Sequence, residues 1–210
     1  MNRIVYKTGY FAGIAAFGFT VAYCVVQLMQ VVQITHFPID EILIYSTSLG
    51  IVIPFILEML AFHYVTPLEK KFWTHAAIIF AIMYAVFVTA NYVVQLTTVI
   101  PMKLRGEAEK VRILDQTPHS LFWDFDALGY FFMGLSTLAG IPALAKRGFQ
   151  KWVRLSFIAN ALVTPLIMFV YFYPNYSEKI LALGYPWAIT APLSMLMLAL
   201  MFRREINAGY

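Results

Sequence analysis

The sequence predicts an all-α membrane protein, a single domain built as a six-transmembrane-helix bundle with both termini in the cytoplasm. Three observations predict it. Of 210 residues, 61% are hydrophobic and 12% charged, with a mean hydropathy of +0.72, whereas a soluble domain is about one-quarter charged. Six stretches, free or nearly free of Asp, Glu, Lys and Arg, are long enough to cross a hydrocarbon core that takes about 20 helical residues. Trp73, Trp123, Trp152 and Trp187 stand near the starts of stretches three to six, at the headgroup level that indole prefers.

The spans fall at about 9–34, 42–65, 73–100, 118–144, 152–173 and 182–202. The first opens on Gly9-x-x-x-Gly13, a close-packing spacing that also offers a contact for oligomerisation. The second contains Pro54 and Glu58, the fifth Pro165 and the sixth Pro192; a proline inside a helix removes a hydrogen bond and favours a kink. The fourth is expected to begin at Thr117-Pro118, a capping residue followed by proline at the first helical position, and Pro186 marks the start of the sixth in the same way. The connection from Pro101 to Ser120 has mixed charge and suits a short surface helix.

Orientation follows from the basic residues. With the N-terminus inside, Arg3, Lys7, Lys70, Lys71, Lys146, Arg147, Lys151, Arg154, Arg203 and Arg204 are cytoplasmic, ten against five outside. The net charge of +4 therefore reads as topology and not as a nucleic-acid footprint. The first apolar stretch is too long for the core of a cleavable signal peptide. A lone cysteine, Cys24, excludes intrachain disulfides and cysteine-clustered zinc. Ala22 to Val32 (AYCVVQLMQVV) and Ala90 to Ile100 (ANYVVQLTTVI) correspond at an offset of 68, a pattern that three parallel helical hairpins would produce, as would the small alphabet of apolar helices.

Polar residues within the spans are spaced to share faces. Thr20, Tyr23, Gln27 and Gln30 follow one side of span one; Tyr84, Asn91, Gln95 and Thr98 one side of span three; Ser156, Asn160 and Thr164 one side of span five. Hydrocarbon disfavours such groups, so these faces should turn inward. Gln27, Gln30, Asn91 and Gln95 fall in the outer half, at the level where span four brings in His119, Asp124 and Asp126. Asp124 and Asp126 point about 200° apart on a helix, and Asp126 is the better site residue because Tyr130, Met133 and Thr137 continue its face. From Pro118 it lies roughly 12 Å along the helix, beside water. The plain alternative is that the amides only bond across helices.

Glu58 is a second candidate, a proton or ion site, or else a carboxyl bonded to a carbonyl freed at Pro54. His63 and His75 flank the cytoplasmic turn between spans two and three and read as interfacial. No HExxH, nucleophile elbow, phosphate-binding loop or glycine-rich dinucleotide loop is present, and no lysine sits mid-span. No metal or cofactor is implied.

The residues Asn91-Tyr-Val-Val-Gln-Leu-Thr, Gly106-Glu107, Leu114-Asp115, Pro118-His-Ser-Leu-Phe-Trp123 and Leu128-Gly-Tyr130 resemble a group of small multi-pass bacterial membrane proteins with no assigned reaction. That resemblance implies a bacterial inner membrane. Three functions stay open: binding or transport of a small or lipid-like molecule through a polar recess formed by Gln27, Gln30, Asn91, Gln95, Asp126 and Tyr130; a lipid-modifying enzyme using Asp126 or Asp124 with His119 as acid and base; and a non-catalytic subunit of a membrane complex.

Overall fold

The structure, a computed structural model, describes residues 2–208, with Asn2 in its backbone only. The described residues contain helices and no strand. Six long helices follow in chain order: α1 (Asn2–Val31), α2 (Ile39–Val65), α3 (Lys71–Val94), α4 (Leu121–Gly140), α5 (Gln150–Phe172) and α6 (Trp187–Asn207). Each packs against its neighbours in sequence, and α6 returns to α1, so the bundle closes as a ring. Five stretches are long and apolar enough to cross a membrane, as a multi-pass membrane protein requires: Arg3–Val31, Ile39–Val65, Leu68–Leu104, Gln150–Phe172 and Glu178–Asn207. Helix α4 completes the ring at 20 residues, with Asp124 and Asp126 in its first two turns.

The helices are apolar on the outside. Ile53, Leu162 and Ile189 are about 70% exposed on the flanks of α2, α5 and α6, the placement that acyl chains favour and water does not. Inside, the two halves differ. Toward the end that carries the N- and C-termini the axis is filled by Met59, Phe62, Phe157 and Phe202. Toward the other end it holds Tyr23, Tyr45, Tyr84, Tyr92 and Asp126. The three polar stripes turn inward over most of their length: Thr20, Tyr23, Tyr84, Asn91, Gln95, Ser156, Asn160 and Thr164 are buried, Gln30 and Thr98 are half-buried, and Gln27, near the open end of the bundle, is exposed. Asn160 ties three helices, donating to Thr137 Oγ1 at 3.2 Å and accepting from Thr190 Oγ1 at 3.3 Å.

Several boundaries differ from the sequence expectation. Helix α4 starts at Leu121 and not at Pro118, because His119 adopts a left-handed φ of 67° and the helix is capped instead by Ser120, whose Oγ accepts the Trp123 N–H at 3.2 Å. It ends at Gly140, before a tight turn around Pro142. Short turns fill 178–184, so α6 begins not at 182 but at Trp187, directly after the proline that marked its start. Between Pro101 and Ser120 the third span runs on as a helix to Leu104, and beyond it the only helical piece among the described residues is one turn, Ala108–Val111. Helix α1 closes with Gln33 in the left-handed region, φ 59°, and with Ile34 N–H on the Met29 carbonyl at 2.8 Å, a termination that does not need glycine but usually uses it.

Gly9 and Gly13 face the interior of the ring. A Cβ on Gly9 would meet Phe202 and Ala61, and one on Gly13 would meet Glu58 and, at 2.7 Å, Ala199. The close approach that this spacing permits is made to α2 and α6 within the chain.

Candidate functional site

The site is built on the first turns of α4. Trp123, Asp126 and Tyr130 follow one another at i, i+3 and i+7 and share a face. Asp126 is buried and accepts a hydrogen bond on each oxygen: from the Tyr92 hydroxyl of α3 at 2.7 Å and from the Tyr171 hydroxyl of α5 at 2.5 Å. Hydrogen bonds to a charged acceptor are the shorter and stronger kind. Beside them, the Tyr23 and Tyr130 hydroxyls pair at 2.7 Å. Four helices thus bring phenols to one level around one carboxylate.

A partly open cavity of about 230 Å³ extends from this cluster toward the end of the bundle away from the termini. Its wall combines Asp126 with the aromatic residues Trp123, Tyr130, Tyr171, Tyr185 and Trp187. Gln27, Gln30 and Gln116 add amides; Ile167, Val170 and Leu181 add apolar surface; Cys24 lies at the α1 side. The rings brace one another, with centroids 4.5 Å apart for Trp123 and Tyr171 and 4.8 Å for Tyr130 and Trp187, within the range of favourable aromatic pairs. The indole N–H groups of Trp123 and Trp187 are buried and have no hydrogen-bond acceptor among the described residues. No lysine, arginine or histidine lines the cavity among those residues. A void of about 10 Å³, bordered by Ser48, Tyr84 and Tyr92, lies on the far side of Asp126.

Of the residues singled out in the sequence, Gln27, Gln30, Asp126 and Tyr130 come together in this wall. Gln30 also donates to Asp40 at 2.8 Å, tying α1 to the first turn of α2. Asn91 and Gln95 sit behind the wall and hold the connection that closes it. The Gln95 amide donates to the Leu114 carbonyl at 2.7 Å, and the Asn91 amide donates to Gln116 Oε1 at 3.1 Å. Gln95 begins a widened, π-helical turn through Val99, in which the Ile100 N–H reaches the Gln95 carbonyl; such turns re-aim side chains and recur at functional sites. Lys103 adds ion pairs to Glu41 at 3.0 Å and Asp115 at 3.3 Å.

His119 and Asp124 are exposed and outside the cavity wall. Glu58 is fully buried between α1, α2 and α6, and neither of its carboxyl oxygens has a hydrogen-bond partner among the described residues. His63 bonds Thr74 Oγ1 through Nδ1 at 2.9 Å, with the His75 ring 5.7 Å away. Among the described residues no group of three or more His, Cys, Asp or Glu side chains could hold a metal ion. Tyr92, Tyr171, Trp123, Trp187 and Gln116 belong to the site and were not singled out for it. Tyr171 carried one signal, a hydroxyl within an otherwise apolar run of α5.

Replacing Gln95 by Leu should therefore loosen the connection around Leu114 without disturbing the bundle. Losing a buried bond worth about 1 kcal/mol is expected to speed amide exchange at Leu114 and Asp115 by about fivefold, with amides of α5 unchanged. Equal protection in the variant would show that the Gln95 bond does not hold this segment.

Comparison with protein-family models, with curated proteins and with solved structures gives no match.

Proposed function

We propose that this chain is a membrane-embedded binding protein, of the kind that carries its ligand across, for a small polar molecule held in the cavity above Asp126. In this reading the bundle crosses the membrane six times, α4 included. The basic end and both termini face the cytoplasm of a bacterial inner membrane, and the cavity opens outward. The observation that carries it is the wall of the cavity: one carboxylate, fixed by two phenols, in an aromatic-lined space of about 230 Å³ that no side chain of the chain itself fills. A subunit whose polar stripes served only to pack has no need of an open recess beside a buried carboxylate. Ligand sites in helical bundles have this composition, apolar walls with a few convergent polar groups. Acid–base catalysis by Asp126 and His119 would require the imidazole to reach the cavity, and no observation favours it.

The test is native mass spectrometry of the detergent-solubilised full chain with a panel of amines, alcohols and carboxylic acids, each added separately. The expected result is at least one saturable one-to-one adduct that Ala188→Phe removes. Ala188 lines the cavity, so the ring occupies the space while Asp126 and its phenols remain. Absence of any adduct, or adducts that survive Ala188→Phe, would overturn the reading.

A further inference from the structure

We propose that the ligand of this cavity is a small organic ammonium ion, fully alkylated at nitrogen and carrying an acceptor oxygen; the proposal rests on the reading of the cavity as a binding site. Charge is the first argument. Asp126 is the only Asp, Glu, Lys, Arg or His among the described residues of the wall. A carboxylate in a low-dielectric space is stabilised by a partner of opposite charge, and the chain supplies none there, so a cation complements the site where an anion would be repelled.

Hydrogen bonding narrows the class. Both Asp126 oxygens already accept a phenol, Tyr92 on one and Tyr171 on the other. With a phenol on each oxygen, the carboxylate keeps only about two of its roughly four acceptor sites for the several donors of a primary ammonium or guanidinium. A quaternary ammonium donates no hydrogen bond. It is attracted by the charge of the carboxylate and by the negative faces of aromatic rings, and the wall supplies five such residues beside Asp126, Trp123, Tyr130 and Trp187 among them. The indole N–H groups of Trp123 and Trp187 are buried without an acceptor among the described residues, and a small turn of either ring would bring its N–H to a hydroxyl or carboxylate oxygen on the same ligand. A volume of about 230 Å³ lies below the usual range for drug-sized ligands, about 300–1,000 Å³, and so suits an amino alcohol in preference to a whole lipid.

The experiment uses the full chain in nanodiscs with Trp73→Phe and Trp152→Phe. Both of these indoles are on the surface, which leaves Trp123 and Trp187 as the only tryptophans reporting by fluorescence. The probes are choline, tetramethylammonium and 3,3-dimethylbutan-1-ol, the neutral isostere of choline. Choline is expected to change the emission saturably with a Kd at least about tenfold below that of the neutral alcohol, with tetramethylammonium between them. Asp126→Asn should reduce the preference for choline over the alcohol at least threefold, and Tyr185→Leu, at the exposed rim, should weaken choline at least threefold while the alcohol is unaffected. Equal affinity for choline and the alcohol in the unsubstituted protein would overturn ammonium recognition and leave the binding site standing. No response to any probe, with the adduct of the panel experiment still present, would overturn the ammonium alone; no response and no adduct would overturn both.

Discussion

Gly13→Ala is expected to destabilise the folded bundle by about 3 kcal/mol, the upper end of the range for overpacking a filled interior, and Gly13→Leu to prevent it from forming. Three helices meet at this glycine. The new methyl would collide with the Glu58 carboxyl of α2 and would lie 2.7 Å from the Ala199 Cβ of α6, nearer than two methyl groups approach. Glu58 can swing its end, but Ala199 moves only with its backbone, so α1 and α6 must part. The measurement is the unfolding midpoint in mixed micelles. A second substitution separates this collision from the general preference of helices for alanine over glycine, which would favour the variant by about 1 kcal/mol. Combining Gly13→Ala with Ala199→Gly exchanges the two methyls across the interface, and a favourable coupling of at least about 1 kcal/mol is expected in the double-mutant cycle. A single variant as stable as the parent would show that the helices are not held at this distance.

Much of this architecture was legible because lipid imposes periodicity. Thr20 and Tyr23, or Ser156, Asn160 and Thr164, sit at helical spacing inside apolar runs, and hydrocarbon leaves such groups only an inward direction; their burial follows from the spacing. Asp126 was legible for the same reason, through the face it shares with Tyr130. Other features lacked a local signature. The partner of Gln95 is the Leu114 carbonyl, a backbone atom that every residue possesses, so nothing in the residue types marks Leu114 as the acceptor. Tyrosine serves equally at the membrane surface and in a core, so Tyr92 and Tyr171 could not be separated from the other tyrosines until their helices were placed around α4. The start of α4 was misread because Thr117-Pro118 is a sound capping signal in isolation, and only the left-handed His119 displaces it to Ser120. Gly9 and Gly13 announced a close approach, while the direction of that approach depends on where α2 and α6 lie.

Asp126→Ala should cost about 3 kcal/mol of stability and Asp126→Asn less than about 1 kcal/mol, a difference that tests whether the carboxylate organises the site or merely occupies it. In the alanine variant the Tyr92 and Tyr171 hydroxyls lose their acceptor together, and an unsatisfied buried donor costs about 1–3 kcal/mol. Tyr92 has the less room to adjust, being buried and stacked on Tyr45 with a centroid separation of 5.3 Å. Tyr171 lines the cavity and can turn its hydroxyl into it, which holds the sum below twice the single cost. Asparagine keeps the shape and one acceptor oxygen, and its amide group can donate to the other phenol oxygen once that hydroxyl rotates. The expected order of unfolding midpoints is therefore parent, Asn, Ala. In the alanine background, Tyr92→Phe should recover about 1 kcal/mol by removing the orphaned hydroxyl, although the same change costs stability when Asp126 is present. This sign reversal separates the phenol network from simple loss of volume. Equal destabilisation by Ala and Asn would mean that charge, and not hydrogen bonding, holds these helices at the level of the cavity.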